Sequence, residues 1–268
     1  MLNDSEQKKD ALVEMRHIYK TFGRGTSSEV ALFSDFSLSV RHGSFVSIIG
    51  SNGSGKTTLL NILCGSIAQD SGNVIIDGKN INSLSEFRRS RYIGRVFQNP
   101  AAGTCPQLTV LENLALADNK GKSFGLGKGI HKSRMDFYRS QLELLKMGLE
   151  NKLNIPVSSL SGGQRQALAL LICTMTPLKL LILDEHTAAL DPKSSETVME
   201  LTDRAVHEKG LTTLMVTHNL KYALRFGDRL LMLHRGKIIL DASGTEKSAM
   251  EIHDLTSRFD KISLEDGA

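Results

Sequence analysis

The chain has 268 residues, 40% of them hydrophobic and 23% charged, with a formal net charge of +4 at pH 7. That balance fits a globular protein with room for one large domain or two small ones, and the charge is too mild to argue for a nucleic-acid partner. No apolar run approaches the roughly 18 residues needed to cross a bilayer; the longest, Ala167 to Met175, contains Thr174 and ends in Thr176-Pro177. The charged stretch Met1 to Asp10 does not read as a secretory signal. Cys64, Cys105 and Cys173 are odd in number and scattered, and are expected to be buried free thiols in a reducing cytosol.

In chain order, Leu12 to Tyr19 and Val30 to Val40 alternate as strands, with Phe22 closing the first and Gly23-Arg24-Gly25-Thr26 turning between them. The apolar run Phe45 to Ile49 leads into Gly50 to Thr58 and then into the helical Leu59 to Leu63. A strand over Asn73 to Ile76, the turn Asp77-Gly78 and a basic helical segment, Ser85 to Arg91, come next. The strand Ile93 to Phe97 then ends at Gln98. From residue 99 to 157 the character becomes helical: Thr109 to Ala117, then Ser133 to Met147, with a Gly/Lys-rich exposed loop from Lys120 to Lys132 between them. A long apolar helix over Ala167 to Met175 precedes the strand Leu180 to Leu183. Asp191 suits an N-cap and Pro192 the first turn of a helix running from Ser194 to His207. Strands at Thr212 to Val216, Arg229 to Leu233 and Lys237 to Leu240 follow, the last two joined by Arg235-Gly236, and two short polar helices end the chain. Strands alternating with helices indicate an α/β domain with a mainly parallel sheet.

Gly50-Ser51-Asn52-Gly53-Ser54-Gly55-Lys56-Thr57 matches G-x-x-x-x-G-K-[ST] in its required strand–loop–helix setting. Glycines let the backbone curl until successive N–H groups face phosphate oxygens, and the helix adds its positive end. Lys56 is placed to reach the outer phosphates and Thr57 to offer a hydroxyl to Mg²⁺. A pattern of this kind arises by chance in about one such chain in a hundred. Four apolar residues followed by Asp184 put a carboxylate at the carboxyl end of a buried strand, where α/β sheets bind ligands. Asp184 can hold Mg²⁺ and Glu185 can polarise a water for in-line attack. The phosphate loop alone leaves a kinase, a GTPase or another nucleotide switch open, and Asp184-Glu185 narrows this.

Leu160-Ser161-Gly162-Gly163-Gln164, followed by Arg165-Gln166, resembles the signature of ATP-binding cassette (ABC) proteins, and the likeness extends from about Leu12 to Gly244. The resemblance implies a P-loop NTPase fold: a RecA-like core with a mainly parallel sheet, an N-terminal antiparallel β subdomain and a helical signature subdomain. Residues 12–98 and 158–244 would form the nucleotide-binding core and 99–157 the helical insert, with 1–11 as a tail and 245–268 as terminal helices. It implies that Phe22 stacks on adenine, although a core residue at a strand end is nearly as good a reading. Gly50 to Thr58 (Gly50, Ser51, Asn52, Gly53, Ser54, Gly55, Lys56, Thr57 and Thr58) would wrap the triphosphate, Gln98 would touch Mg²⁺ and the attacking water, and His218 would contact the γ-phosphate. Ser161, Gly162, Gly163 and Gln164 would cover the ATP bound by a second copy of the chain, and Ala188 to Asp191 would line the contact between copies.

Most of the family continues Asp-Glu with proline, whereas this chain has His186. The run Asp184 to Asp191 resembles a subgroup of bacterial importer ATPases often assigned to tryptophan or other amino acids. A loop variant explains His186 better than a catalytic role does. The expected activity is ATP hydrolysis, with ATP and Mg²⁺ as cofactors, driving solute import at the cytoplasmic face of the membrane. The expected partners are a second copy, a separate integral membrane permease and, indirectly, an extracytoplasmic solute-binding protein. A soluble cassette acting away from membranes, an accessory cassette in phosphonate breakdown and a small-molecule P-loop kinase are the alternatives. The kinase leaves Ser161 to Gln164 and His218 unexplained.

Overall fold

The computed structural model describes residues 10–122 and 129–266, with side chains as far as 262. The tail before residue 10 and the middle of the Gly/Lys-rich loop (123–128) therefore lie outside the described residues. In chain order the elements are β1 (Ala11–Phe22), β2 (Val30–Arg41), β3 (Phe45–Gly50), α1 (Lys56–Cys64), β4 (Ser71–Ile76), β5 (Lys79–Asn80), α2 (Glu86–Arg89) and β6 (Ile93–Val96). Then come α3 (Val110–Asp118), α4 (Met135–Glu143), α5 (Gly162–Thr174), β7 (Leu180–Asp184), α6 (Pro192–Lys209), β8 (Thr212–Val216), α7 (Leu220–Arg225), β9 (Arg229–His234), β10 (Lys237–Ser243), α8 (Gly244–Ser248) and α9 (Ile252–Asp266). Two compact units divide the chain: Met1–Ile93 with Lys179–Ile182 and Gly210–Ala268, and Gly94–Leu178 with Leu183–Lys209.

A six-stranded sheet has the order β10-β9-β3-β8-β7-β6, and a four-stranded sheet the order β2-β1-β4-β5. In the first, β3 runs parallel to both β8 and β9, and β10 returns antiparallel to β9. All six residues of β3 are buried, as expected of a strand covered on both faces. Its side chains divide by the two-residue period. Val46 and Ile48 join the large core with Leu59, Leu60, Ile62 and Leu63 of α1, while Ile49 joins a smaller core with Ala223 and Leu255. Strand β9 splits likewise, Leu231 and Leu233 to one side and Leu230 and Met232 to the other. Ser47, the polar residue of β3, satisfies its hydroxyl by donating to the Phe226 carbonyl at 3.0 Å. Each fully buried leucine or isoleucine of α1 contributes about 2 kcal/mol of hydrophobic stabilisation, which holds the helix against β3.

The second sheet is antiparallel throughout. Its β4–β5 hairpin turns at Asp77 and Gly78, both with positive φ (52° and 70°), the geometry that suits the twist of a two-residue hairpin. Arg235 and Gly236 (φ 43° and 71°) turn the β9–β10 hairpin in the same way.

In the second unit, α3 and α4 pack on α5, and α5 on α6, burying Val110, Leu114, Tyr138, Leu142, Ala167 and Leu168. Helix α3 opens with a reciprocal cap, in which Thr109 Oγ1 accepts from the Glu112 N–H and the Glu112 carboxylate accepts from the Thr109 N–H. Asp118, at its other end, accepts two hydrogen bonds from Arg134 (2.8 Å each) and one from the Tyr138 hydroxyl (3.0 Å). The Arg134 hydrogen bonds hold Asp118 below the usual carboxylate range, and burial, then Asp118, pushes Tyr138 up.

Several elements differ from expectation. Helix α4 stops at Glu143 because the chain turns at Lys146, whose φ is 52°. Helix α9 is 15 residues long and not short, anchored by the fully buried Leu255. Strand β5 and helix α7 were not anticipated: one is two residues long, and the other depends on the Asn219 cap. Among the cysteines only Cys64 is buried; Cys105 is exposed and Cys173 half-buried.

Candidate active site

Within the first unit the loop Gly50 to Thr58 joins β3 to α1. Gly50 has φ 154°, and a Cβ there would lie 2.2 Å from the Leu233 carbonyl oxygen and 2.8 Å from Ser54 Oγ. Gly55 precedes α1 in the left-handed region (φ 106°), and no side chain caps the helix. The first N–H groups of α1 are therefore presented without a competing carboxylate or hydroxyl, which suits an anion. Lys56 is buried, its ammonium donating to the Gly50 and Ser51 carbonyls at 2.8 and 3.0 Å. The positive charge is thus held at the inner rim of the curl. Ser54 Oγ is buried with no hydrogen-bond partner among the described residues, and Thr57 is exposed. The β9–β10 hairpin braces the loop, since the Gly236 N–H donates to the Ser54 carbonyl at 3.0 Å. A Cβ on Gly236 would overlap the Leu32 carbonyl, so only glycine permits that approach.

His218 follows β8 and is exposed. Thr217 Oγ1 accepts from the Asn219 N–H at 3.0 Å, and Asn219 caps α7 by accepting from the Tyr222 N–H at 3.2 Å. The histidine is thus pinned between a strand end and a helix start. It lines a cavity of about 250 Å³ with Gly50, Ser51, Asn52, Leu220 and Phe259, so phosphate loop and histidine share one recess. Sequence reasoning missed Phe259, which comes from α9 at the far end of the chain. Phe22 ends β1 and is 37% exposed, with the Lys20 ammonium 5.3 Å from its ring centre. It is not a core residue.

Within the second unit, Asp184 ends β7 half-buried, and one carboxylate oxygen accepts from Arg95 Nη2 at 2.6 Å. The guanidinium of Arg95 also lies 4.8 Å from the ring of Phe97. Arg95 is a site residue that spacing could not reveal, because it meets Asp184 from a different strand. Glu185 has φ 50°, a conformation few residues other than glycine adopt. His186 is 2% exposed, its Nε2 is 3.1 Å from Thr202 Oγ1, and burial pulls its pKa down to about 4. It is a buried residue of the loop that follows β7. Gln98 is exposed, and the carbonyl before it, that of Phe97, accepts from the fully buried Gln166 at 3.0 Å. Gln166 thereby ties the Gln98 segment to α5. The oxygen donors of Thr57, Gln98 and Asp184 are of the hard type that Mg²⁺ takes.

Ser161 caps α5, accepting from the Gln164 N–H at 3.2 Å while Gln164 Oε1 accepts from the Ser161 N–H. Gln164 also receives Lys152 Nζ and donates to the Met147 carbonyl. A Cβ on Gly162 would come within 3.2 Å of Leu190, and one on Gly163 within 3.0 Å of Ser194. These glycines therefore let α5 approach the 188–191 loop and the start of α6, a packing role beside their backbone donors.

The family model described as ABC transporter matches residues 33–188. The tyrosine transport ATP-binding protein of Clostridioides difficile (strain R20291) is 46% identical over 249 residues, covering 93% of this chain and 99% of that protein. Among solved structures, the ADP conformation of MJ1267, an ATP-binding cassette of an ABC transporter, superposes with a TM-score of 0.77 at 27% identity, covering 96% of this chain and 99% of that one. The dimeric post-hydrolysis state of the cassette MJ0796, bound to ADP and Pi, gives 0.72 at 30% identity, with 86% and 98% covered. The chain belongs to the ABC transporter family, as an ATP-binding subunit that hydrolyses ATP.

Proposed function

We propose that this subunit is one half of an ATP-gated clamp that drives import of an aromatic amino acid through a separate permease. Two copies close around two ATP molecules, with Gly50 to Thr58 of one copy opposite Ser161, Gly162, Gly163 and Gln164 of the other. Lys56 and the loop amides hold the phosphates and Phe22 stacks on adenine. Thr57, Gln98 and Asp184 are the residues that would hold Mg²⁺, which when bound neutralises charge on the β- and γ-phosphates. Glu185 accepts a proton from the water attacking the γ-phosphorus in line, and His218 steadies the γ-phosphate while ADP departs. Loss of phosphate then removes the anion that joins the two copies, and the clamp opens.

The observation that carries the solute assignment is the 46% identity to a tyrosine transport ATP-binding protein across nearly the whole of both chains. Among the described residues no helix is long and apolar enough to cross a membrane; in this reading the pore is another polypeptide, and the subunit sits on it at the cytoplasmic face. A solute-binding protein on the other side delivers the ligand. The test is co-purification from membranes followed by uptake in vesicles holding the associated permease and binding protein. ATP-dependent uptake of tyrosine or tryptophan, lost in Lys56→Ala, is expected. Uptake of neither amino acid contradicts the solute, and co-purification with ribosomes or soluble enzymes alone contradicts the transporter.

A further inference from the structure

The loop that follows β7 is fastened to α6 at three places. Asp191 Oδ1 accepts from the Ser194 N–H at 3.0 Å, Ser195 Oγ donates to the Thr187 carbonyl at 3.1 Å, and His186 Nε2 meets Thr202 Oγ1 at 3.1 Å. The first two fasteners join the loop to the first turn of the helix; the third reaches Thr202, seven positions beyond Ser195 and on the same face. The Thr202 hydroxyl has one proton, and it lies 2.8 Å from the Val198 carbonyl. With that proton donated to Val198, the oxygen is left to accept, so the imidazole donates from Nε2–H. Both side chains lie in the interior, His186 2% and Thr202 0% exposed, where a buried hydrogen bond is costly to break.

The residue just before this tether is Glu185, with φ 50°. For a side chain other than glycine that conformation costs roughly 1 kcal/mol or more and persists only when the surroundings impose it. The next position is occupied by the anchored imidazole of His186. We propose that the His186–Thr202 hydrogen bond is a positioning device that holds the Glu185 peptide in its left-handed conformation, and so aims the Glu185 carboxylate. The proposal rests on Glu185 being the general base. His186 acts through its neighbour and touches no reacting atom.

The test uses the purified full-length subunit, with turnover and Mg-ATP affinity measured separately. Thr202→Val keeps the shape and removes the acceptor; His186→Leu removes the donor. Each is expected to lower kcat about tenfold, the scale of a small misplacement of a catalytic group, with ATP affinity within twofold of wild type. Thr202→Ser and His186→Gln keep an acceptor and a donor and are expected within threefold of wild-type kcat. The double variant His186→Leu/Thr202→Val is expected to be no slower than the worse single one. Normal turnover in Thr202→Val, or losses that multiply in the double variant, overturns the proposal. Should His186→Leu fail to fold, the comparison of Thr202→Val with Thr202→Ser decides it. Glu185→Gln is assayed alongside: turnover there removes the general-base reading itself, whereas an inactive Glu185→Gln beside a normal Thr202→Val removes only the tether.

Discussion

At the scale of single residues, the phosphate loop shows how much depends on atoms that are not there. Gly50 lies against the Leu233 carbonyl, and an added Cβ would sit 2.2 Å from that oxygen. Gly50→Ala is therefore expected to displace the loop and weaken ATP binding at least tenfold in a fluorescent-nucleotide titration; unchanged affinity would show that β9 yields instead. Arg95 is a different case. Its guanidinium holds an oxygen of Asp184 at 2.6 Å, so under the proposed role of Asp184 the arginine and Mg²⁺ would compete for one carboxylate. Arg95→Met is expected to lower the Mg²⁺ concentration for half-maximal ATPase activity by a few-fold, and an increase would mean that Arg95 serves to orient Asp184. The loop was legible because its chemistry is contiguous in sequence. The Arg95–Asp184 pair and the His186–Thr202 bond were not, because residues 89 and 16 positions apart met only on folding.

At the scale of elements, caps and buried polar groups set where helices begin and how the chain returns to the sheet. The cap at Thr109 starts α3, and Thr109→Ala is expected to cost about 1 kcal/mol, read as a lower urea midpoint with an unchanged slope. Lys247 of α8 is 4% exposed and donates to the Phe226 and Gly227 carbonyls at 2.6 Å each, fixing the turn between α7 and β9. Burial pulls its pKa down to about 8, with Asp228 opposing that shift. Between about pH 8 and the ordinary lysine value near 10.5, the unfolded chain holds a proton that the folded chain has released. Lys247 therefore makes stability rise with pH across that window. Wild type is expected to gain on Lys247→Met in urea midpoint from pH 8 to pH 10, and a pH-independent difference would contradict this. The apolar pattern predicted β3 and β9 well because their alternate residues enter two different cores. It overran α4, since the amphipathic pattern continues past Glu143 while the backbone turns at Lys146. It also undervalued α9, where Leu255 is the one fully buried anchor among the described residues and a weak signal among polar neighbours.

At the scale of the whole molecule, the fold was legible because its motifs fall at strand ends, where a parallel sheet gathers ligand-binding groups. Phosphate loop and His218 do share one recess within their unit, and Asp184, His186, Asp191 and the Ser161 helix start are set by contacts within theirs. The central claim concerns two molecules: Ser161 to Gln164 complete the site of a second copy. The most direct test is the mass of Glu185→Gln in solution with excess Mg-ATP, measured by light scattering, beside the same protein carrying Ser161→Arg. The account predicts a dimer holding two ATP for Glu185→Gln, and a monomer that still binds ATP when Ser161→Arg is added. An ATP-loaded Glu185→Gln that stays monomeric, or a dimer indifferent to Ser161→Arg, would contradict it.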